Sequence, residues 1–326
     1  MGAYLGSGGK PACYALETTS YGHADTPDVA LDLVNESLRE NTEPLRSPAI
    51  FGSRAYNTYH QGTKSAAGDL RFIAQPDSLP KLIYGVLGAE AAAARVGETT
   101  AYDHVFTPAV AGGDLPSFHI EVDRHGTVCQ YPGSVIDTMT IEFTKGAYLE
   151  VVLSLLCQKE TDDQSSTDLS LSTKDPYIGD FVELEVGGSG VTYGIGGSIT
   201  IQNFIDADAS HRLDGTRYRA EPHPQNFMVS GSIDLEWTSD TDALRDAIKD
   251  NTDVDLCFVC TSEETIEAGY YYAVTFDIPT CRLIGDLPVI STRDRIPFTI
   301  NFEGIYNATN LMAITHRDAR TTKWSE

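Results

Sequence analysis

Apolar and β-branched runs of five to eleven residues, set apart by Gly, Pro, Asn and Asp, recur along almost the whole chain. They fall at Ala30 to Val34, Gly68 to Ala74, Ser117 to Val122, Val135 to Phe143 and Ala147 to Cys157. They resume at Phe181 to Val186, Ser198 to Phe204, Phe227 to Trp237, Val254 to Thr261, Tyr270 to Ile278 and Ile296 to Phe302. Runs this short, rich in Val, Ile, Thr and aromatics, read as strands, so the chain is mainly β. Helical spacing survives in two short stretches. Asp77-Ser78-Leu79-Pro80 offers an N-cap and an early proline, with Leu79, Leu82, Ile83, Val86 and Leu87 on one side until Gly88. Asp240-Thr241-Asp242 opens the second, with Leu244, Ala247 and Ile248 as its apolar side.

The order of these elements repeats. Gly52-Ser53-Arg54 and Gly68-Asp69-Leu70-Arg71-Phe72 return 163 residues later as Gly215-Thr216-Arg217 and Gly231-Ser232-Ile233-Asp234-Leu235, each set followed by its helix. Ser117 to Val122 and Gly133 to Ile141 then match Val254 to Val259 and Ala273 to Cys281, and Leu149 to Leu155 matches Pro297 to Phe302. The offset shrinks because the first half has the longer helix-to-strand loop, Ala89 to Pro116. Polar, aperiodic residues separate the halves. The expected organisation is a first module with an N-terminal arm at 1–157, a linker at 158–177, and a second, similar module with a C-terminal tail at 178–326.

Lys and Arg number 23 against 47 Asp and Glu, a net charge of −24 that repels nucleic acid. The bias to Arg over Lys (15 to 8) and to Asp over Glu (28 to 19) would suit solubility in high salt. No run of 18 uncharged apolar residues is present to cross a membrane, and Met1 to Lys10 reads as no secretory signal. Six cysteines in so long a chain read as buried thiols, not a disulfide framework. Cys257-Phe258-Val259-Cys260 sits in a strand pattern, where residues three apart point to opposite faces and cannot share a metal.

No pattern nominates a catalytic, cofactor-binding or metal residue. His119, Glu121 and Asp123 would share a strand face, but no second cluster completes a ligand set, and a solvated strand face accounts for them. The acidic loops starting at Asp206 and Asp250 lack the glycine and the closing glutamate of an EF-hand; Arg217 and Thr261 stand at the twelfth positions. Gly187 to Gly190 and Gly194 to Gly197 fit neither phosphate-binding pattern and read as hairpin turns. Nucleophile-elbow and HExxH patterns are absent from the sequence. The expectation is a non-enzyme without a cofactor. Tyr270-Tyr271-Tyr272 near Glu263, Glu264 and Glu267 supports an alternative, a glycan- or calcium-binding β-sandwich of a viral fibre or adhesin.

A set of motifs in the first half follows a known order. Tyr4-Leu5-Gly6, Ala15 to Gly22, Leu33 to Leu38, Ser47 to Arg54, Ala67 to Leu70 and Pro76 to Pro80 resemble the tail tube proteins of long-tailed, siphovirus-like viruses of bacteria or archaea. His104 to Pro108, Leu115 to Ser117 and Gly133-Ser134 fit the same pattern. The resemblance covers about half the chain directly and reaches the rest through the repeat.

The resemblance implies a tail-tube-type β-sandwich or half-barrel with short flanking helices, built here as two tandem pseudo-repeated modules. It implies a structural virion protein, made in the host cytoplasm, whose rings stack into the tail conduit for viral DNA. Its partners would be copies of itself and other tail and neck proteins, with no membrane. Duplicated members of such families make trimeric, pseudo-hexameric rings, which are favoured here, and a hexamer is the alternative. Arg39 to Ser65 would be the extended loop reaching a neighbouring ring, and Asp206 to Asn226 its counterpart. Contact candidates are Arg46, Phe51, Arg54, Tyr56, Tyr59, Arg212, Arg217 and Arg219. DNA would pass without specific binding along a wall lined by carboxylates, the candidates being Asp69, Glu121, Asp123, Asp137, Glu142, Asp234 and Asp277.

Overall fold

The computed structural model describes residues 12–49, 58–109, 113–124, 126–162, 164–208, 210–238, 241–285 and 296–326. Its first strands are β1 (Cys13–Leu16), β2 (Val29–Ala30), β3 (Asp32–Glu36), β4 (Arg39–Arg46) and β5 (Tyr59–Ile73), followed by α1 (Pro80–Leu87). Then come β6 (Gly88–Glu90), β7 (Ala94–Arg95), β8 (Tyr102–Pro108), β9 (Phe118–Asp123), β10 (Val128–Thr144) and β11 (Glu150–Cys157). The second half holds β12 (Val182–Val186), β13 (Ser189–Val191), β14 (Gly194–Gln202), β15 (Met228–Glu236), α2 (Asp242–Asp250), β16 (Asp253–Glu267), β17 (Tyr270–Ile284), β18 (Pro297–Gly304) and β19 (Ala313–Asp318). The protein is mainly β, a sandwich with two short helices.

One long antiparallel sheet organises the molecule. Its order is β3 and β4 on one edge, then β5, β11, β10, β14, β15, β18 and the C-terminal end of β17. Along its N-terminal half β17 leaves β18 and pairs with β19, which carries β8. β16 lines the other side of β17 and adds β12 and β13. A smaller sheet joins β2, β1, β9 and the first part of β10. The pairing order occurs twice: β5·β11·β10·β9, with α1 after β5, and β15·β18·β17·β16, with α2 after β15.

The inward positions of these strands form one apolar core spanning both halves. Phe258 of β16 clamps the layers, its ring centroid 5.3 Å from Phe143 on β10 and 5.9 Å from Phe302 on β18. α1 buries Leu82, Ile83, Val86 and Leu87 beneath the sheet, as its spacing predicts, and Gly88 ends it in the left-handed region at φ 84°. α2 buries Leu244 and Ala247.

Several local expectations are corrected. Asp77 does not cap α1, which starts at Pro80 without a side-chain cap; its carboxylate accepts a bond from Ser172 instead. Gly187 and Gly188 do form the β12–β13 turn, but Gly194 to Gly197 lie within β14, where a Cβ on Gly197 would stand 2.3 Å from the Ser232 carbonyl. The glycines there permit close strand approach. The connection Ala89 to Pro116 contains β8, which finds β19 in the C-terminal tail. His119 and Glu121 are not on a solvated face. β9 is buried on both sides, His119 bonding the Asp25 carbonyl and Glu121 receiving Thr167 N–H at 2.6 Å.

Several of the described residues in 158–177 are tied by hydrogen bonds to both halves. Thr161 bridges Gln130, Lys174 Nζ donates to Tyr272 Oη at 2.7 Å, and the buried Tyr177 exchanges main-chain bonds with Ala74 and Leu149. The first and second segments are also joined directly through the β10–β14 pairing.

Candidate functional site

Strand alternation sends every second side chain of the long sheet away from the core, and those side chains form one continuous polar surface. Cross-strand registers carry it from strand to strand. Asp69 stands opposite Ser154, Thr138 and then Gln202; Arg71 stands opposite Val152, Thr140, Thr200 and Ser230; Glu150 and Glu142 lead to Ser198, Ser232 and Asn301. Hydroxyls bond across the ladder: Ser154 to Asp69 at 2.6 Å, Thr140 to Thr200 at 3.1 Å, Ser198 to Ser232 at 3.1 Å and Thr299 to Asp234 at 2.7 Å. These bonds hold the side chains along the sheet surface.

The surface is acidic with a fixed cationic spot. Arg71 donates Nη2 to Glu142 at 2.6 Å and Nε to Glu150, and the two carboxylates, Glu150 first, keep its guanidinium more firmly charged than usual. Asp234, Glu236 and Glu303 follow across β15 and β18, with Arg282 opposite Glu303. The residues that face the opposite way from these strands, including Leu70, Leu153, Ile141, Ile199, Ile233 and Ile300, are fully buried. The site is therefore a broad surface and not a pocket.

Of the carboxylates singled out from sequence, Asp69, Glu142 and Asp234 share this face. Asp137 sits at the β10 bulge and accepts Ile205 N–H at 2.7 Å, so it holds backbone. Asp277 lies opposite Cys257 in the other layer, its carboxyl pushed up by burial and then by Asp255. Glu121 and Asp123 are 1% and 8% exposed, and both are spent on internal bonds, Asp123 receiving Gly126 N–H at 2.7 Å. Those four are not part of the polar surface. Residues the sequence reading missed are the hydroxyls of β10, β14 and β15 together with Glu150 and Glu303; Thr and Ser at every second position of these strands was their visible signal.

The contact candidates divide as well. β4 and the start of β5 extend as a ribbon in which Arg46 and Tyr59 are opposite and exposed, while Phe51, Arg54 and Tyr56 lie outside the described residues. The described residues between Asp206 and Asn226 meet the base of that ribbon. Lys64 N–H donates to the Arg217 carbonyl at 2.9 Å, Arg217 Nη1 reaches Gln61 at 3.3 Å, and Arg212 lies 3.2 Å from His223. Arg219 is 3% exposed, its Nη1 directed at the Ala66 and Cys157 carbonyls, so it is an internal contact and cannot meet a neighbour.

Among the described residues no three His, Cys, Asp or Glu side chains converge on a metal position. Cys260 faces the core and Cys257 the opposite side of β16, and burial pushes their thiols up to about 12 and 11, which keeps them protonated and unreactive. Tyr272 is buried against Lys174, and Glu267 is taken up by Thr100. A family model described as phage tail tube protein matches residues 12–304. No curated protein matches the chain.

Proposed function

Because the chain belongs to the phage tail tube protein family, a family of structural proteins of the virion tail, we propose that it assembles into stacked rings whose bore is the polar face of the long sheet. The supporting observation is the continuity of that face. Strand positions from β3 to β17 carry hydroxyls and carboxylates without interruption by a large apolar patch. A wall of this kind suits passage of DNA: its carboxylates repel phosphates, and several of its hydroxyls are already bonded to each other or to those carboxylates, so a moving duplex meets no cation row to hold it. Asp69, Glu142 and Asp234 are the lining acids in this reading, joined by Glu150 and Glu303. The β4–β5 ribbon, with Arg46 and Tyr59, is the arm toward an adjacent ring.

The repeated pairing order further supports a duplicated module, and hence three chains per ring with pseudo-sixfold walls, in a siphovirus-like tail. A Thr200→Cys chain in a Cys257→Ser background tests the bore directly. In assembled tubes the new thiol should react with a small maleimide but lose reaction with one carrying a folded protein, whereas Thr275→Cys on the other layer should react with both. Equal reaction of Thr200→Cys with the bulky reagent before and after assembly would place the polar face outside and end this reading.

A further inference from the structure

The sheet edge at β3–β4 corresponds to β14 in the second half. Both strands slip register at the same point: between Leu33 and Asn35 opposite Phe72 and Arg71, and between Gly194 and Gly196 opposite Leu235 and Asp234. Ser37 N–H donates to the Asp69 carbonyl, so main-chain groups of Leu38 and Glu40 alternate away from β5, toward the outer side. Their counterparts in β14, Ile199 and Ile201, stand opposite Ile141 and Met139 of β10. Where β14 has a strand neighbour, β3 and β4 have, among the described residues, side chains.

Those side chains answer both outward groups of Leu38 and the outward N–H of Glu40. Leu38 N–H donates to the Glu36 carboxylate at 2.9 Å, and the Leu38 carbonyl accepts from Tyr131 Oη at 3.0 Å and Arg124 Nη2 at 2.5 Å. Glu40 N–H donates to Glu160 at 2.7 Å. Arg124 is set in place by Glu36 through two 2.9 Å bonds, and Glu160 N–H reaches back to the Glu40 carboxylate, which also pairs with Lys64. An open strand edge is a template for another chain, and covering it suppresses such pairing. Here the cover is made of groups that water can rehydrate, since the Arg124 side chain is about a third exposed.

We propose that Glu36, Arg124 and Glu160 guard the β3–β4 edge of the free chain, and that a strand from a second copy displaces them when the sheet continues between subunits. This rests on the tube reading and adds to it a brake on premature assembly. The internal β10–β14 junction is the precedent for the contact: the same edge position, already paired antiparallel within one chain.

The test uses the full chain with Arg124→Gln and Glu160→Gln combined, folding being checked by circular dichroism and melting. The concentration at which rings or tubes appear, followed by light scattering and negative-stain microscopy, should drop at least tenfold. Glu40→Pro, which removes the outward N–H, should block assembly, and in the wild type the Leu38 and Glu40 amides should pass from fast to slow hydrogen exchange on assembly. Wild-type tubes together with an unchanged threshold in the double variant, normal assembly of Glu40→Pro, or unprotected amides would overturn the guard alone. A wild-type chain that never assembles would overturn the tube reading and the guard with it.

Discussion

Gly85 lies in the middle of a helix, where glycine is normally unfavourable, because Phe118 occupies the space a side chain would take: a Cβ there would stand 2.3 Å from the ring. Gly85→Val should therefore cost about 2–3 kcal/mol of stability through overpacking, read as a lowered melting temperature. A second residue-scale prediction concerns His104. Its imidazole is fully buried between Glu90, 3.0 Å from Nδ1, and Asp318, 3.1 Å from Nε2, with the Arg320 carbonyl also at Nε2. Burial opposes the charged form, but the bonds to Asp318 and Glu90 outweigh it and push the pKa up to about 9. The neighbouring His316 is driven by burial down to about 4 and stays neutral, while Trp324 donates Nε1 to Asp318 and its main chain to Glu90.

The sign follows. The His104 contribution is complete below its ordinary pKa of 6.5 and is lost as pH rises through about 9. His316 acts oppositely, removing stability as pH falls from 6.5 toward 4. Thermal stability should fall between about pH 7 and 9.5, and Trp324 fluorescence should shift with it; His104→Asn should flatten that limb. Identical alkaline limbs in both proteins would contradict the assignment.

At the scale of elements, the clamp between layers is the Phe143, Phe258 and Phe302 group, and Phe258→Ala should cost about 3–5 kcal/mol by chemical denaturation. Which elements could be read in advance depended on what each strand buries. β11, β15 and β18 alternate cleanly because one side meets core and the other water, so they were legible nearly to their ends, whereas only the later parts of β5 and β10 were, and Asp69, Glu142 and Asp234 stood among four other acids that the same alternation could not separate from them. β8 and β19 were not, since their inward positions hold His104, His316 and Asp318, paired with each other instead of with apolar groups. β9 misled for a related reason: its polar side looked solvated, and only the packing of Thr167 and Asp25 over it, from distant parts of the chain, shows otherwise. The ribbon of β4 and β5 was legible as a protruding segment but not as paired strands, because its residues are mostly exposed on both faces.

For the whole molecule, the β3–β4 edge has no strand partner among the described residues, and in the proposed ring other copies would continue the eight strand positions from that edge to β17 into a wall. Three copies would set about 24 strands around a ring; at ~4.8 Å per strand this is a backbone circumference of about 115 Å and a diameter of about 37 Å, widened further by strand tilt. That leaves a bore able to admit a B-form duplex after side chains are placed. In the proposed tube the net charge of −24 would repel DNA, and the hydrogen-bonded hydroxyls of the polar face would offer it little to grip. The most direct measurement is the rotational symmetry and wall of the purified assembly by cryo-electron microscopy. The account predicts threefold rings with pseudo-sixfold walls, Thr140, Thr200 and Asp234 facing the bore; particles that remain single, or rings with the apolar-backed layer of β16 and β19 lining the channel, would contradict it.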